Sequence, residues 1–284
     1  MNLEFEAVVV GAGPAGLTAA TYLARFRRRV LVLDGGPSRA TWIPESHNTP
    51  GFPQGVGGDE LLRRLRDQAE AFGVVIEAGR VGDIGGTDGA FVLETADQRI
   101  DAATVLLATG VVDRLPGIEG IEAAILASVA RICPICDAFE AIDRRIAVLA
   151  DGPLGDREVR FLQTYSQDVT LLSLETARGD GGAVRLEDLR FDGGQLAVRR
   201  TGVPETRYDH LYLALGCASQ TELAIRLGAR QDESGSLLVD SRQMTTVEGL
   251  YAAGDVVRGL NQIAVAAGEA AIAATAMHNR MRGA

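Results

Sequence analysis

The sequence predicts an α/β fold organised around two strand–turn–helix units, and three observations carry that expectation. Ala7-Val8-Val9-Val10 is a continuous apolar run of the kind buried on both faces of a parallel sheet, and it enters Gly11-Ala12-Gly13-Pro14-Ala15-Gly16 directly. Ile146-Ala147-Val148-Leu149 is a second such run, followed by Ala150-Asp151-Gly152-Pro153-Leu154-Gly155-Asp156. Between the two units lies Cys133-Pro134-Ile135-Cys136-Asp137, which holds two of the chain's three cysteines. At 284 residues the chain can hold two domains with cores of their own.

The first unit has the pattern GxGxxG in the context that gives it meaning, a strand before and helix formers (Leu17 to Ala24) after. Gly11 allows the tight turn, Gly13 lets a pyrophosphate approach the backbone, and Gly16 lets helix and strand pack closely. Val30-Leu31-Val32-Leu33 is the next strand, and Asp34 ends it, where an acid accepts hydrogen bonds from ribose hydroxyls. Arg27-Arg28-Arg29 reads as a solvated turn. Val105-Leu106-Leu107-Ala108-Thr109-Gly110 is a strand ending in a small-residue turn that can lie against the same nucleotide. Gly249-Leu250-Tyr251-Ala252-Ala253-Gly254-Asp255 repeats the strand-to-turn pattern, and a helix-forming stretch from Ile263 to Arg282 closes the chain. The Asp255 carboxylate suits the polyhydroxyl ribityl chain of a flavin; the plain alternative is a helix N-cap. Together the three segments favour FAD over a nicotinamide dinucleotide.

Two sulfurs three residues apart on the first turn of a helix can close a small reversible disulfide. The helix N-terminus favours thiolate, and Asp137 can carry the proton that dithiol–disulfide chemistry needs. A tetrahedral zinc site would need further ligands, and only Cys217 with the scattered His47, His210 and His278 remain, so no metal is expected. A purely structural role is also weak, since so short a loop restrains the unfolded chain little. Cys217 reads as a small buried hydrophobe. Trp42 and His47 lie close before Asn48 and can either line a flavin pocket or simply pack and solvate. The net charge of -10 argues against nucleic acid. No apolar run approaches the roughly 20 residues that span a bilayer, and the start lacks a basic leader. A cytoplasmic location, where CxxC pairs are catalytic more often than structural, is the expectation.

The order and identity of Gly11-Ala12-Gly13-Pro14-Ala15-Gly16, Asn48-Thr49-Pro50-Gly51-Phe52-Pro53, Ala108-Thr109-Gly110, Cys133-Pro134-Ile135-Cys136-Asp137 and Ala253-Gly254-Asp255 resemble the low-molecular-weight thioredoxin reductase family of FAD-dependent disulfide oxidoreductases. The resemblance spans nearly the whole chain. It implies two Rossmann-like, three-layer nucleotide-binding domains, the second inserted into the first. An FAD-binding domain would take about 1–114 plus 244–284, and a CxxC insert about 115–243. It further implies a homodimer, with Asn48, Asp255 and Gln262-Ile263-Ala264 around the flavin. Cys136 would face the flavin's reactive edge, Cys133 would exchange with the substrate disulfide, and Asp137 would be the acid–base. Substrates of this kind are a thioredoxin-like protein or a small disulfide or dithiol.

The second unit departs from the family's phosphate loop. Against GxGxxG, Ala150 stands at the first glycine and Asp151 at the intervening position, Gly152 and Gly155 are kept, and Pro153 removes a backbone N–H from a loop whose task is to donate. A carboxylate ~6 Å from a phosphate charge costs about 3 kcal/mol at an effective dielectric of ~20. Half of that, after screening, is still roughly a tenfold loss of affinity. After Val169-Thr170-Leu171-Leu172, Glu175 would repel a 2′-phosphate, and only Arg178 offers a nearby cation. These departures argue against NADPH and suggest another electron donor, ferredoxin or a second flavin. Asp137, rather than His, after the pair resembles the reductase pattern. The alternatives are an NADPH-dependent thioredoxin reductase, an oxygen-using dithiol oxidase, and a non-catalytic flavin-binding redox sensor. Within the insert, Val184 to Phe191 and Gln195 to Arg200 flank Asp192-Gly193-Gly194 as a hairpin, and Tyr208 to Leu215 reads as one closing strand.

Overall fold

A computed structural model describes residues 4–174 and 183–283. In chain order the elements are β1 (Ala7–Val10), α1 (Pro14–Arg25), β2 (Val30–Asp34), α2 (Gly58–Ala71), β3 (Val75–Ala78), β4 (Asp83–Thr87), β5 (Ala90–Glu94), β6 (Arg99–Ala102), β7 (Thr104–Leu107) and β8 (Val111–Asp113). There follow α3 (Ile121–Leu126), β9 (Ala130–Arg131), α4 (Pro134–Asp137), β10 (Ile146–Ala150), α5 (Leu154–Leu162), β11 (Val169–Ser173), β12 (Leu189–Asp192), β13 (Gln195–Val198), β14 (Thr206–Tyr208) and β15 (His210–Ala214). β16 (Cys217–Ser219), α6 (Glu222–Arg226), β17 (Leu250–Ala252) and α7 (Ile263–Met281) complete the chain. Contacts divide it into two compact units, Met1–Thr41 with Gly58–Val112 and Ser219–Ala284, and Trp42–Gly57 with Asp113–Ala218. Ser219 to Gln243, expected in the insert, thus contact the first unit, and Trp42 to Gly57 contact the second.

The first unit is a parallel sheet in the order β17-β7-β1-β2-β3. Its strands read as unbroken apolar runs because both faces are covered. On one face Ala7, Val9, Val30, Val32, Leu106 and Tyr251 meet Ala19, Ala20 and Leu23 of α1 and Ala270, Ala273, Ala274 and Met277 of α7. The alanines let both helices lie close to the strands. On the other face Val8, Val10, Leu31, Leu33, Val105 and Leu107 meet Ile84, Phe91, Leu93 and Ile100 of the antiparallel sheet β4-β5-β6. Three layers result.

The second unit has a parallel sheet in the order β11-β10-β15-β9. Alternate residues of β10 and β15 feed two cores: Ala147, Leu149, Leu211 and Leu213 pack towards Ile125, Leu189 and Leu196, and Ile146, Val148, Tyr212 and Ala214 towards Leu162 and Ala138. Trp42 packs against the former. The hairpin expectation needs trimming. Its first strand begins at Leu189, because Arg185 and Asp188 exchange hydrogen bonds around a single turn at Leu186–Asp188. Gly193 and Gly194 make the bend at φ 60 and 76, the double positive φ of a two-residue hairpin turn. The closing strand is two strands, β14 in the antiparallel sheet and β15 in the parallel one. Asp209 makes the switch: its carboxylate accepts from the Arg145 N–H at 2.9 Å and the Gln195 amide at 2.9 Å.

Candidate dinucleotide and dithiol sites

In the first unit the carboxyl ends of β1, β2, β7 and β17 lie along one edge of a parallel sheet, the usual place for a bound dinucleotide. Gly11, Gly13, Pro14, Ala15, Gly16, Asp34, Thr109, Gly110, Gly254 and Asp255 all follow or end these strands. Much of the glycine pattern is explained by backbone meeting backbone. A Cβ on Gly11, at φ +110, would stand 2.4 Å from the Ala108 carbonyl oxygen, and one on Gly16 would stand 1.9 Å from that of Gly11. Gly254, at φ +82, would press on the Ala15 Cβ at 2.9 Å. Gly13 differs: a Cβ there would meet only the Ser38 Oγ at 3.1 Å. It N-caps α1 with no side-chain hydrogen bond, Pro14 follows, and the first turn carries no acid. The free N–H groups and the dipole of this 12-residue helix thus offer an anion site that a pyrophosphate fits.

The neighbouring side chains are held. The Thr109 hydroxyl donates to the Gln220 carbonyl at 2.6 Å. Asp34 is paired with Arg66 and accepts from the Gly36 N–H at 3.3 Å. Asp255 is paired with Arg39 at 3.3 Å and is not a helix N-cap; Gln262 caps α7, with Ile263 and Ala264 opening its first turn. The lone acid within α7, Glu269, is buried, accepts from the Gly254 N–H at 2.9 Å and pairs with Arg258. Arg39 and Glu269 were not singled out by sequence reasoning, although an acid in so alanine-rich a helix is a signal. The Arg27-Arg28-Arg29 turn is only partly solvated, since Arg28 pairs with Glu6 at 2.9 Å and donates to His278 Nδ1 at 3.1 Å.

In the second unit β9 runs straight into the cysteine turn. Cys133 caps α4, Cys136 donates its N–H to the Cys133 carbonyl at 3.0 Å, and the two sulfurs form a disulfide with Cα atoms 5.3 Å apart. α4 is a single turn, so its dipole favours thiolate less than a long helix would. Asp137, the next residue, is gripped from two strands. Arg131 Nη1 lies 3.2 Å from Asp137 Oδ2 and donates to its carbonyl at 3.0 Å. The Tyr212 hydroxyl is 3.0 Å from Oδ1 and 3.2 Å from the same carbonyl. The register Tyr212↔Arg131 between β15 and β9 sets these two side chains together. Burial raises the Asp137 pKa, and Arg131 opposes the rise only in part. Asn48, expected at the flavin, belongs to this unit, where its amide donates to the Ile135 carbonyl at 3.5 Å. His47 is exposed beside Glu45, and Cys217 is half-buried rather than a core residue because its strand is a short three-residue one at the unit's limit.

The β10–α5 turn retains a glycine for packing. A Cβ on Gly155 would stand 2.4 Å from the Ala150 Cβ and 2.9 Å from Leu171 Cδ1, whereas one on Gly152 would meet nothing within 4 Å. Asp151 is exposed and Pro153 caps α5. Glu175 and Arg178 lie outside the described residues. Among the described residues there is no group of three or more His, Cys, Asp or Glu that could hold a metal ion, and no helix long and apolar enough to cross a membrane.

Residues 5–177 and 183–270 match the family model described as pyridine nucleotide-disulphide oxidoreductase. The thioredoxin reductase of Mycolicibacterium smegmatis is 30% identical over 95% of this chain and 94% of its own length. That of Treponema pallidum (strain Nichols) is 29% identical over 97% of each chain. The crystal structure of thioredoxin reductase from Streptococcus pyogenes MGAS5005 superposes with a TM-score of 0.87 over 100% of both chains at 23% identity, a likeness of fold.

Proposed function

Because the chain belongs to the low-molecular-weight thioredoxin reductase family of pyridine nucleotide-disulphide oxidoreductases, we propose that its Cys133–Cys136 pair passes two electrons between a bound FAD and a substrate disulfide. The protein is an FAD-dependent disulfide oxidoreductase of the thioredoxin-reductase type. The observation that carries the reading of the pair is the closed disulfide, with Asp137 next in the chain and its carboxyl held by Arg131 and Tyr212. Gly11 to Gly16 would take the pyrophosphate, Asp34 a ribose, and Asp255 the ribityl chain. Thr109, Gly110, Gly254, Gln262, Ile263 and Ala264 would line the remainder. Once bound, FAD supplies a two-electron store that reduces or reoxidises the pair.

The chain's own part is thiol chemistry. The Cys133 thiolate attacks one sulfur of the substrate disulfide, forming a mixed disulfide and releasing one substrate thiolate. The Cys136 thiolate then attacks the Cys133 sulfur, releasing the second and closing Cys133–Cys136. Two protons end on the product thiols, and Asp137 is placed to move one of them. Ile135 and Phe139 are exposed beside the pair and offer a thioredoxin-like protein or a small disulfide an apolar approach. The first unit serves as the FAD-binding domain and the second as the CxxC domain, in a homodimer.

NADPH is not the donor in this reading, because in the β10–α5 turn Asp151 brings an exposed carboxylate and Pro153, at the N-cap of α5, lacks the N–H that a phosphate would take. A ferredoxin or another reduced flavin takes its place. Anaerobic mixing of the FAD-loaded protein with NADPH, NADH, dithiothreitol and reduced ferredoxin tests both parts. Dithiothreitol and ferredoxin should bleach the flavin and the pyridine nucleotides should not. Cys133→Ser should slow bleaching by dithiothreitol by roughly a hundredfold or more. Rapid bleaching by NADPH overturns the choice of donor. A chain that binds no FAD overturns the whole reading.

A further inference from the structure

Two polar side chains, Arg131 and Tyr212, reach the cysteine turn at Asp137, and a third, His210, lies against Arg131; none has been assigned a part in the chemistry of the pair. Arg131 is almost wholly buried, with its side chain 8% exposed, and carries a permanent charge that must be paired to be tolerated there. Its Nη1 points at Asp137, while its Nε donates to the Ser128 carbonyl at 3.2 Å and lies 3.3 Å from His210 Nδ1. Burial, and then the Arg131 charge, push the His210 pKa down to about 4, so that ring is neutral near pH 7 and leaves the Arg131 charge to Asp137. Tyr212 is fully buried and its hydroxyl is raised far above the ordinary phenol range by burial and by Asp137, so it acts only as a hydroxyl.

The Tyr212 oxygen sits within hydrogen-bond distance of two acceptors on one residue, Asp137 Oδ1 at 3.0 Å and the Asp137 carbonyl at 3.2 Å. When Asp137 is ionised, the phenol proton can go to Oδ1. When Asp137 carries a proton on Oδ1, the same phenol can accept it and turn its own proton to the carbonyl. Arg131 stays on Oδ2 in both cases.

We propose that Arg131 and Tyr212 are positioning residues for Asp137: they hold its carboxyl in one orientation in both protonation states, so that it can take up and give back the proton of the neighbouring pair without the carboxyl turning. The inference rests on the reading of Asp137 as acid–base for the pair. When the disulfide opens with two electrons from FAD, two thiolates form, and Asp137 gives its proton to one of them; when the disulfide closes, that proton returns. Besides Arg131 and Tyr212, the groups facing Asp137 are Glu140 on the following turn and His210 beside Arg131. On α5, which packs against α4, there are also Arg157 and Glu158. Glu158 is pushed up to about 7 by burial and would add an inflection of its own to a pH profile, so it has to be removed from the test.

The test is the pH dependence of iodoacetamide alkylation of the reduced Cys133–Cys136 pair, in full-length protein carrying Glu158→Gln. Asp137 should appear as an inflection that Asp137→Asn abolishes. Arg131→Gln should move it upward by at least one pH unit, a tenfold change in proton affinity. Arg131→Lys should restore most of the shift, and the isosteric Tyr212→Phe should move it upward by less. In the Asp137→Asn background, Arg131→Gln and Tyr212→Phe should have no further effect. Profiles of Arg131→Gln and Tyr212→Phe that superpose on the parent overturn the inference. So do shifts that persist without the Asp137 carboxyl, and a parent profile that already matches Asp137→Asn. Alkylation involves no flavin step. Failure of the FAD reading appears as a flavin that dithiothreitol cannot reduce, whereas failure of this inference leaves that reduction intact.

Discussion

At Glu158 a half-buried carboxyl on α5 has an Oε2 with no hydrogen-bond partner among the described residues. Burial pushes its pKa up to about 7, and Arg157 offsets this only in part. Since the folded value lies above that of an unfolded glutamate, the group favours the fold below the unfolded value, and that contribution is lost as pH rises through about 7. Glu158→Gln should therefore raise stability at pH 8 by roughly 1–2 kcal/mol, after allowance for residual solvent contact, and change it little at pH 4. Urea-unfolding midpoints at the two pH values check this; equal shifts at both would show that burial of charge is not the cause. Cys133, Cys136 and Asp137 were legible as candidates because they are neighbours in the chain. Tyr212 was not, because it reaches Asp137 from 75 residues away and reads as one more apolar strand residue.

At the scale of elements, the two glycine turns show that one residue type can be kept for different reasons. Gly16 and Gly155 each sit where a helix crosses its strand, and at both a side chain would overlap a neighbour. Gly155→Ala should cost about 1–3 kcal/mol by overpacking against Ala150 and Leu171, although the turn serves no pyridine nucleotide in our reading. Gly152→Ala should change stability by no more than about 0.5 kcal/mol. Thermal or urea unfolding of the two variants separates packing from ligand binding as the reason for the two glycines of this turn. The apolar runs of β1, β2, β7, β10 and β17 were plain because strands covered on both faces leave no polar interruption. The start of β12 and the break between β14 and β15 were not, since side chains from elsewhere make them: Arg185 with Asp188, and Asp209 with Arg145 and Gln195.

For the whole molecule, each unit has cores of its own, and a single unfolding transition is not expected. The chain's one tryptophan, Trp42, packs in the second unit and reports on it alone. Saturating the first unit with FAD at a thousandfold excess over Kd should stabilise it by about 4 kcal/mol. Calorimetry should show one transition moving with FAD while the Trp42 fluorescence transition stays in place; a Trp42 transition that moves equally would place flavin-linked stability in both units. The sequence by itself determined the α/β class, the dinucleotide turn, the dithiol and the departure of the second turn from the GxGxxG pattern, because each is written in residues close together along the chain. Only the tertiary structure decided which charges surround Asp137, that Asp255 faces Arg39, that Glu269 anchors the Gly254 turn, and that residues 42–57 and 219–243 join the units they do. Those relations depend on strand register and on which apolar faces are buried together, and neither is local to any stretch of sequence.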